Sequence, residues 1–193
     1  MLVFGQITEI SIRDYALYDA SLKVATNGTY IPSISKDYPV ILSIGPSYFE
    51  SYSTWPNTKF IHGFNLAKNT TDDRAKLLDT VPLVCKALGG GKLLYWELGN
   101  EPDLYKTSAQ GHVRPPNWTE SDYISEWLNV TGKIGDSMAE SCPEMANSSE
   151  YQYIAPSFAG TSNSLKPLTV WKDNLDAAND IALFSSHKYA TSS

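Results

Sequence analysis

Three observations predict an α/β fold with a mainly parallel sheet. Four short apolar runs recur along the chain, helix-period segments separate them, and the loops that follow the runs are long and rich in aromatic residues. Strands that alternate with helices build βαβ units, whose sheet is covered by helices. At 193 residues and 42% hydrophobic content, the length prior and the absence of any linker or repeat imply one globular domain over 1–193.

The first run is "YPVILSIG" (38–45), followed by a long polar loop over 46–71. Thr71 then stands as an N-cap, and Leu77, Val81, Val84 and Leu88 line one face of a helix that Pro82 kinks or splits. Asp72 and Asp73 suit the positive end of its dipole, and the glycines at 89–91 end it. "KLLYWELG" (92–99) is the second run, and residues 103–118 form a second long loop. Thr119 and Asp122 spell a capping box for a helix whose stripe of Tyr123, Trp127, Val130, Ile134 and Met138 reads as core packing. "YQYIAPS" (151–157), a short helix from about Leu168 to Asn179, and "IALFSSH" (181–187) complete the series.

Charge and composition remove several function classes. A net charge of −6 and a pI near 5.0, with 15 scattered basic residues, disfavour nucleic acid, an anionic membrane or a highly sulfated polymer as partner. No apolar run reaches the roughly 18 residues that mark a membrane span. "MLVFGQITEI" lacks the basic start and long apolar stretch of a signal peptide. Yet Asn-x-Ser/Thr acceptors at Asn27, Asn69, Asn117, Asn129 and Asn147, all in polar surroundings, suggest a secreted parent. Cys85 and Cys142, near helix ends, admit either a disulfide or two buried free thiols. They and His62, His112 and His187 have no metal-ligand spacing, and "GGG" precedes a strand where a phosphate loop should follow one, so neither a metal nor a cofactor is expected.

"YWELGNEPDLY" (95–105) concentrates the chemistry: Glu97, Glu101 and Asp103 fall within seven positions where a strand runs into a turn. Four residues of strand put Glu97 about 13 Å of rise from Glu101, too far for the two to flank one bond. Glu97 therefore reads as a structural group inside the strand. Glu101, beside Asn100 and held by Pro102, sits where parallel folds present side chains to a cleft. Asp103, just beyond, is expected to face water. An acid in a turn is, by itself, more often a cap or a solvated group than a catalyst.

"ELGNEPD" resembles the Asn-Glu-Pro signature of retaining glycoside hydrolases with (β/α)8 barrels. "SIGPSYFESYSTWPNTKFIHGFNL", "VPLVCKALGGGKLLYWELGNEPDLY" and "YIAPSFAG" narrow the resemblance to glycoside hydrolase family 79, the β-glucuronidase and heparanase family, and to its fungal secreted members. It covers about Tyr30 to Tyr189, with residues 1–29 matching only loosely.

The resemblance implies a partial (β/α)8 TIM barrel in which the four runs are strands three to six. It implies that Glu101 is the general acid/base and that Asn100 binds the sugar near its 2-hydroxyl. "SSHKY" matches a His-x-Tyr element, making His187 and Tyr189 candidates for orienting the nucleophile or sugar, with a plain hydrogen-bonded strand-end role as the alternative for His187. Ser47 and Tyr48, after the first run, are candidates for lining the cleft, with a plain turn role as the alternative. Trp55 and Trp118 offer apolar faces, although packing suits both better.

Retaining hydrolysis uses two carboxyl groups about 5 to 5.5 Å apart. The family takes its nucleophile from the seventh strand, for which no counterpart is found, so the chain reads as the middle of a larger enzyme, an incomplete catalytic domain. The implied activity is cofactor-free hydrolysis of glucuronic-acid-bearing glycans, with a carbohydrate as partner and no oligomer. A non-catalytic carbohydrate-binding remnant is the alternative. A proton donor working near neutrality must be partly desolvated, so Glu101 is expected in a cleft with Ser47, Asn100, Ser157 and His187 at the same sheet end.

Overall fold

The computed structural model describes residues 8–11, 16–33, 36, 39–107, 113–147 and 149–187. Five parallel strands form the main sheet in the order β1 (Thr8–Ser11), β5 (Phe60–Phe64), β6 (Leu93–Leu98), β7 (Tyr153–Phe158), β8 (Ile181–Ser186). A separate three-stranded sheet sets β4 (Ile41–Ile44) between β2 (Ala16–Tyr18), parallel to it, and β3 (Thr26–Thr29), antiparallel.

This arrangement corrects the strand reading. The 38–45 run supplies β4 of the small sheet, while the place beside β6 belongs to Phe60–Phe64, inside the segment read as a loop. A polar His62 and a Gly63 interrupt that run, which hides its strand character. In the fold both are buried, His62 because Tyr52 Oη lies 2.6 Å from its Nδ1. The same segment holds a 3-10 helix, Pro46–Ser53, packed against α2 (Val81–Leu88).

The helices follow their capping residues. Thr70, one residue earlier than read, caps α1 (Thr71–Asp79) in a reciprocal box with Asp73, and Pro82 splits α1 from α2 rather than kinking one helix. Thr119 and Asp122 cap α3 (Glu120–Ser141), whose five-residue stripe is wholly buried. The last helix, α4 (Pro167–Lys172), is shorter than read, since Asn174 turns left-handed at φ 73° and the chain leaves the helix. Cys85 and Cys142 are joined in a disulfide, Cα atoms 6.0 Å apart, which ties α2 to the end of α3.

Alternation along the strands decides which face is core. His62, Phe64, Trp96, Leu98, Tyr153 and Ala155 point at the helices and are buried. The opposite face carries the half-buried Ile61, Tyr95 and Ile154 and the exposed Leu183, with Glu97 buried among them at 2% exposure. Glu97 thus belongs to the sheet's open face, two residues below the turn that follows β6.

Candidate functional site

The site is built where β6, β7 and β8 end. Gly99 leaves β6 at φ 82°, and a Cβ there would stand 2.9 Å from Leu66 Cβ, so the turn requires glycine. Glu101 then adopts a left-handed conformation, φ 53° and ψ 51°, before the 3-10 turn Pro102–Leu104. A non-glycine residue holds that conformation only when its surroundings impose it. Here they do: Glu101 N donates to Ser157 O at 3.0 Å, Leu104 N donates to Glu101 O at 2.9 Å, and Ser157 is itself left-handed at φ 55°.

β8 delivers the partner. His187 N donates to Phe158 O at 2.8 Å, and its ring Nδ1 lies 2.9 Å from Glu101 Oε1. The side chains of the pair remain 24% and 15% exposed, His187 first, so the carboxyl is partly desolvated yet reachable. Ser157 N and Oγ both meet Ser185 Oγ, at 3.0 and 2.9 Å, knitting β7 to β8 directly beneath. A hydrogen-bonded carboxyl–imidazole pair at the rim of a sheet can give up or take a proton, which is what acid/base chemistry needs.

Asn100, Glu101, Ser157 and His187 therefore come together as expected from parallel strand ends. Ser47 and Tyr48 do not join them. They lie at the start of the Pro46–Ser53 helix, which follows β4 of the small sheet and packs against α2 in the outer layer; the misplacement of β4 carried them along. Burial pushes the Tyr48 hydroxyl up to about 12. Tyr189, like His112, lies outside the described residues.

Asp103 reverses its expectation of facing water. It is fully buried and accepts hydrogen bonds from Ala159 N (2.9 Å), Gly160 N (3.2 Å) and Asn163 Nδ2 (2.7 Å). Burial raises its pKa, and those same bonds oppose the rise. The 3-10 turn swings the side chain inward, toward a loop about 56 residues away in sequence, where no local signal could reveal it.

A second buried group was missed for the same reason. Arg114 sits 5.3 Å from the centroids of both Tyr105 and Trp118 and donates to the carbonyls of Leu66 and Ala67, just past β5. Its Nη2 and Nε reach Glu126 of α3 at 2.6 and 3.1 Å, and Arg74 of α1 meets the same carboxylate at 2.6 Å. Trp118 is accordingly a packing residue, while Trp55 is 52% exposed. The acceptor residues Asn27, Asn69, Asn117, Asn129 and Asn147 are all exposed. Among the described residues, no group of three or more His, Cys, Asp or Glu is placed to hold a metal ion, and no helix is long and apolar enough to cross a membrane.

The class is defined first by fold, a parallel α/β sheet with its polar residues gathered at the strands' carboxyl ends. The same fold occurs in the crystal structure of a 4-O-α-L-rhamnosyl-β-D-glucuronidase from Fusarium oxysporum in complex with Rha-GlcA. The TM-score is 0.63 at 23% identity, over 91% of this chain and 34% of that one. By sequence, the chain is 63% identical over 177 residues to a protein of Aspergillus niger named β-glucuronidase. It is 55% identical over 179 residues to one of the same name from Neurospora crassa. Each match takes in 92% of this chain but 32% of the relative, so the chain spans about a third of the length of the curated relatives it matches. No family model matches it.

Proposed function

We propose that this chain is the acid/base-bearing segment of a secreted, retaining β-glucuronidase of glycoside hydrolase family 79. The observation that carries the reading is Glu101, partly desolvated in its left-handed turn at the end of β6 and paired with His187. The identity to two fungal proteins named β-glucuronidase supports the substrate class. On this reading the sheet is part of a (β/α)8 barrel in which β6 is the fourth strand, β5 the third, and β7 and β8 the fifth and sixth. The whole of 1–193 is then part of one catalytic domain.

Glu101 protonates the glycosidic oxygen as the leaving group departs, then withdraws a proton from the water that releases the sugar. Asn100, next to it, holds the sugar's 2-hydroxyl. The family resemblance assigns the nucleophilic carboxylate to a seventh strand, beyond β8. The disulfide and the exposed Asn-x-Ser/Thr acceptors support export of the parent protein.

The test replaces the matching third of the Aspergillus niger relative with this chain and assays the chimera on a nitrophenyl and an alkyl β-D-glucuronide. Turnover of both, with Glu101→Gln slowing the alkyl substrate far more than the nitrophenyl one, is the expected result, because only a poor leaving group needs the proton while both need the base that activates water. A chimera that folds without turnover, or a Glu101→Gln variant that treats both substrates alike, removes Glu101 from the role. Because the chain covers only a third of its relatives, glucuronide binding without turnover is a second reading, and calorimetric titration of the 193-residue chain measures it.

A further inference from the structure

We infer that Asp103 is a positioning residue for Glu101, an anchor that sets the angle at which the acid/base carboxyl meets His187. The inference deepens the reading of Glu101 as acid/base and rests on it for its catalytic consequence, but its geometry stands apart.

Asp103 follows Glu101 by two residues, with Pro102 between them and Leu104 N bonded back to Glu101 O, so the short 3-10 turn moves as one body. Four hydrogen bonds fasten that body to the loop after β7. The carboxylate takes Ala159 N, Gly160 N and Asn163 Nδ2, and Ser164 Oγ donates to the Asp103 carbonyl. The strand end leading into this loop is what holds the pair itself, through Ser157 O to Glu101 N and Phe158 O to His187 N. Asp103 therefore locks together the two pieces of chain that carry and brace the pair. It does so from full burial, out of reach of substrate, which is why it is a positioning group.

The disfavoured backbone of Glu101 explains why an anchor is needed. A left-handed glutamate relaxes toward the ordinary helical or extended regions unless both flanks are held. Ser157 O holds one side, and Asp103 holds the other. Replacing the carboxylate by an amide sets an N–H group against donors on the loop, so the clamp loosens while side-chain volume is kept.

Imidazole nitrogen NMR on the full 193-residue chain tests this, since only three histidines contribute. Glu101→Gln defines the His187 Nδ1 shift of a disturbed pair, and His62, buried and bonded to Tyr52, is the control. Asp103→Asn is expected to move the His187 signal most of the way to the Glu101→Gln position and to leave His62 unmoved. Asn163→Ala, which removes one of the bonds to the carboxylate, moves it part of the way and guards against a misfolded Asp103→Asn chain. A wild-type His187 signal in both variants, or equal movement of His62 and His187, overturns the inference.

In the chimera, Asp103→Asn should lower the alkyl-to-nitrophenyl rate ratio about tenfold, a ratio that does not depend on the amount of folded enzyme. An unchanged ratio, where Glu101→Gln does change it, overturns the catalytic consequence. If Glu101→Gln itself leaves the ratio alone, the acid/base reading fails while the NMR arm still decides the positioning.

Discussion

The helix-covered face of the main sheet and its carboxyl end both hold ionisable side chains, and they treat them in opposite ways. On the covered face His62 is fully buried among Phe49, Phe64 and Trp96, and desolvation lowers its pKa to about 3. Burial likewise raises the hydroxyls of Tyr52 and Tyr153 well above the ordinary tyrosine range. Each is held neutral and serves packing. At the carboxyl end Glu101 and His187 keep 15% and 24% of their side-chain surface and lean on each other. Complete burial silences a titratable group, whereas partial burial beside a partner leaves it able to act.

The contrast breaks most severely at Glu101. In the active chimera, Glu101→Gln should reduce hydrolysis of the alkyl glucuronide by about 10² to 10⁴, with folding unchanged by circular dichroism. Next in size is the covalent tie behind the covered face. The disulfide closes a loop of 57 residues, so Cys85→Ala with Cys142→Ala should cost about 4 kcal/mol in urea unfolding, by the chain-entropy relation. Arg114→Met should cost about 3 kcal/mol, because it removes a buried guanidinium that donates to the Leu66 and Ala67 carbonyls and leaves the half-buried Glu126 with one of its two arginine partners. Arg114→Lys should recover little of this, since a point charge cannot reproduce the planar fork.

His62 gives a pH signature of the covered face. Below its ordinary value of 6.5 the unfolded chain takes up a proton that the folded chain refuses until about pH 3. Stability from this group is therefore full above pH 6.5 and falls by about 1.4 kcal/mol per pH unit on acidification. Between pH 6 and pH 5, His62→Gln should flatten the wild-type slope by that amount; equal slopes would show His62 to be charged or solvated.

The smallest effect is at Asp180, half-buried before β8, whose Oδ1 is buried with no hydrogen-bond partner among the described residues. Burial, then the nearby Asp176, raises its pKa from 3.8 to about 6. The protonated form fits the fold, so its contribution is present below the unfolded value and lost as pH rises through about 6. Asp180→Asn should add about 1 kcal/mol at pH 7, the full shift being discounted for solvent screening, and almost nothing at pH 4 by thermal unfolding.

Glu101 was legible because its signal is local: a strand, a glycine, then Asn-Glu-Pro, with the resemblance those residues carry. The caps at Thr119 and Asp122 and the apolar stripe from Tyr123 to Met138 were legible on the same ground, as each relation spans a few residues and is enforced by helix geometry. The 38–45 run shows where such reading stops. Its apolar character marks a strand correctly, but strand identity is settled by which neighbours supply hydrogen bonds, and those came from β2 and β3. Conversely, Phe60–Phe64 reads poorly because its histidine is acceptable only once Tyr52 is beside it.

By itself, then, the sequence determined the α/β alternation, the caps and the position of the glutamate at a strand end, all matters of short-range sterics and periodicity. Only the tertiary structure decided that Asp103 is buried rather than solvated, that Arg114 and Arg74 share Glu126, and that His187 reaches Glu101 across 86 residues. The physical reason is that a polar side chain's environment is set by the groups that desolvate and pair with it. Here those groups come from strand ends and loops that the chain brings together only when the sheet has formed.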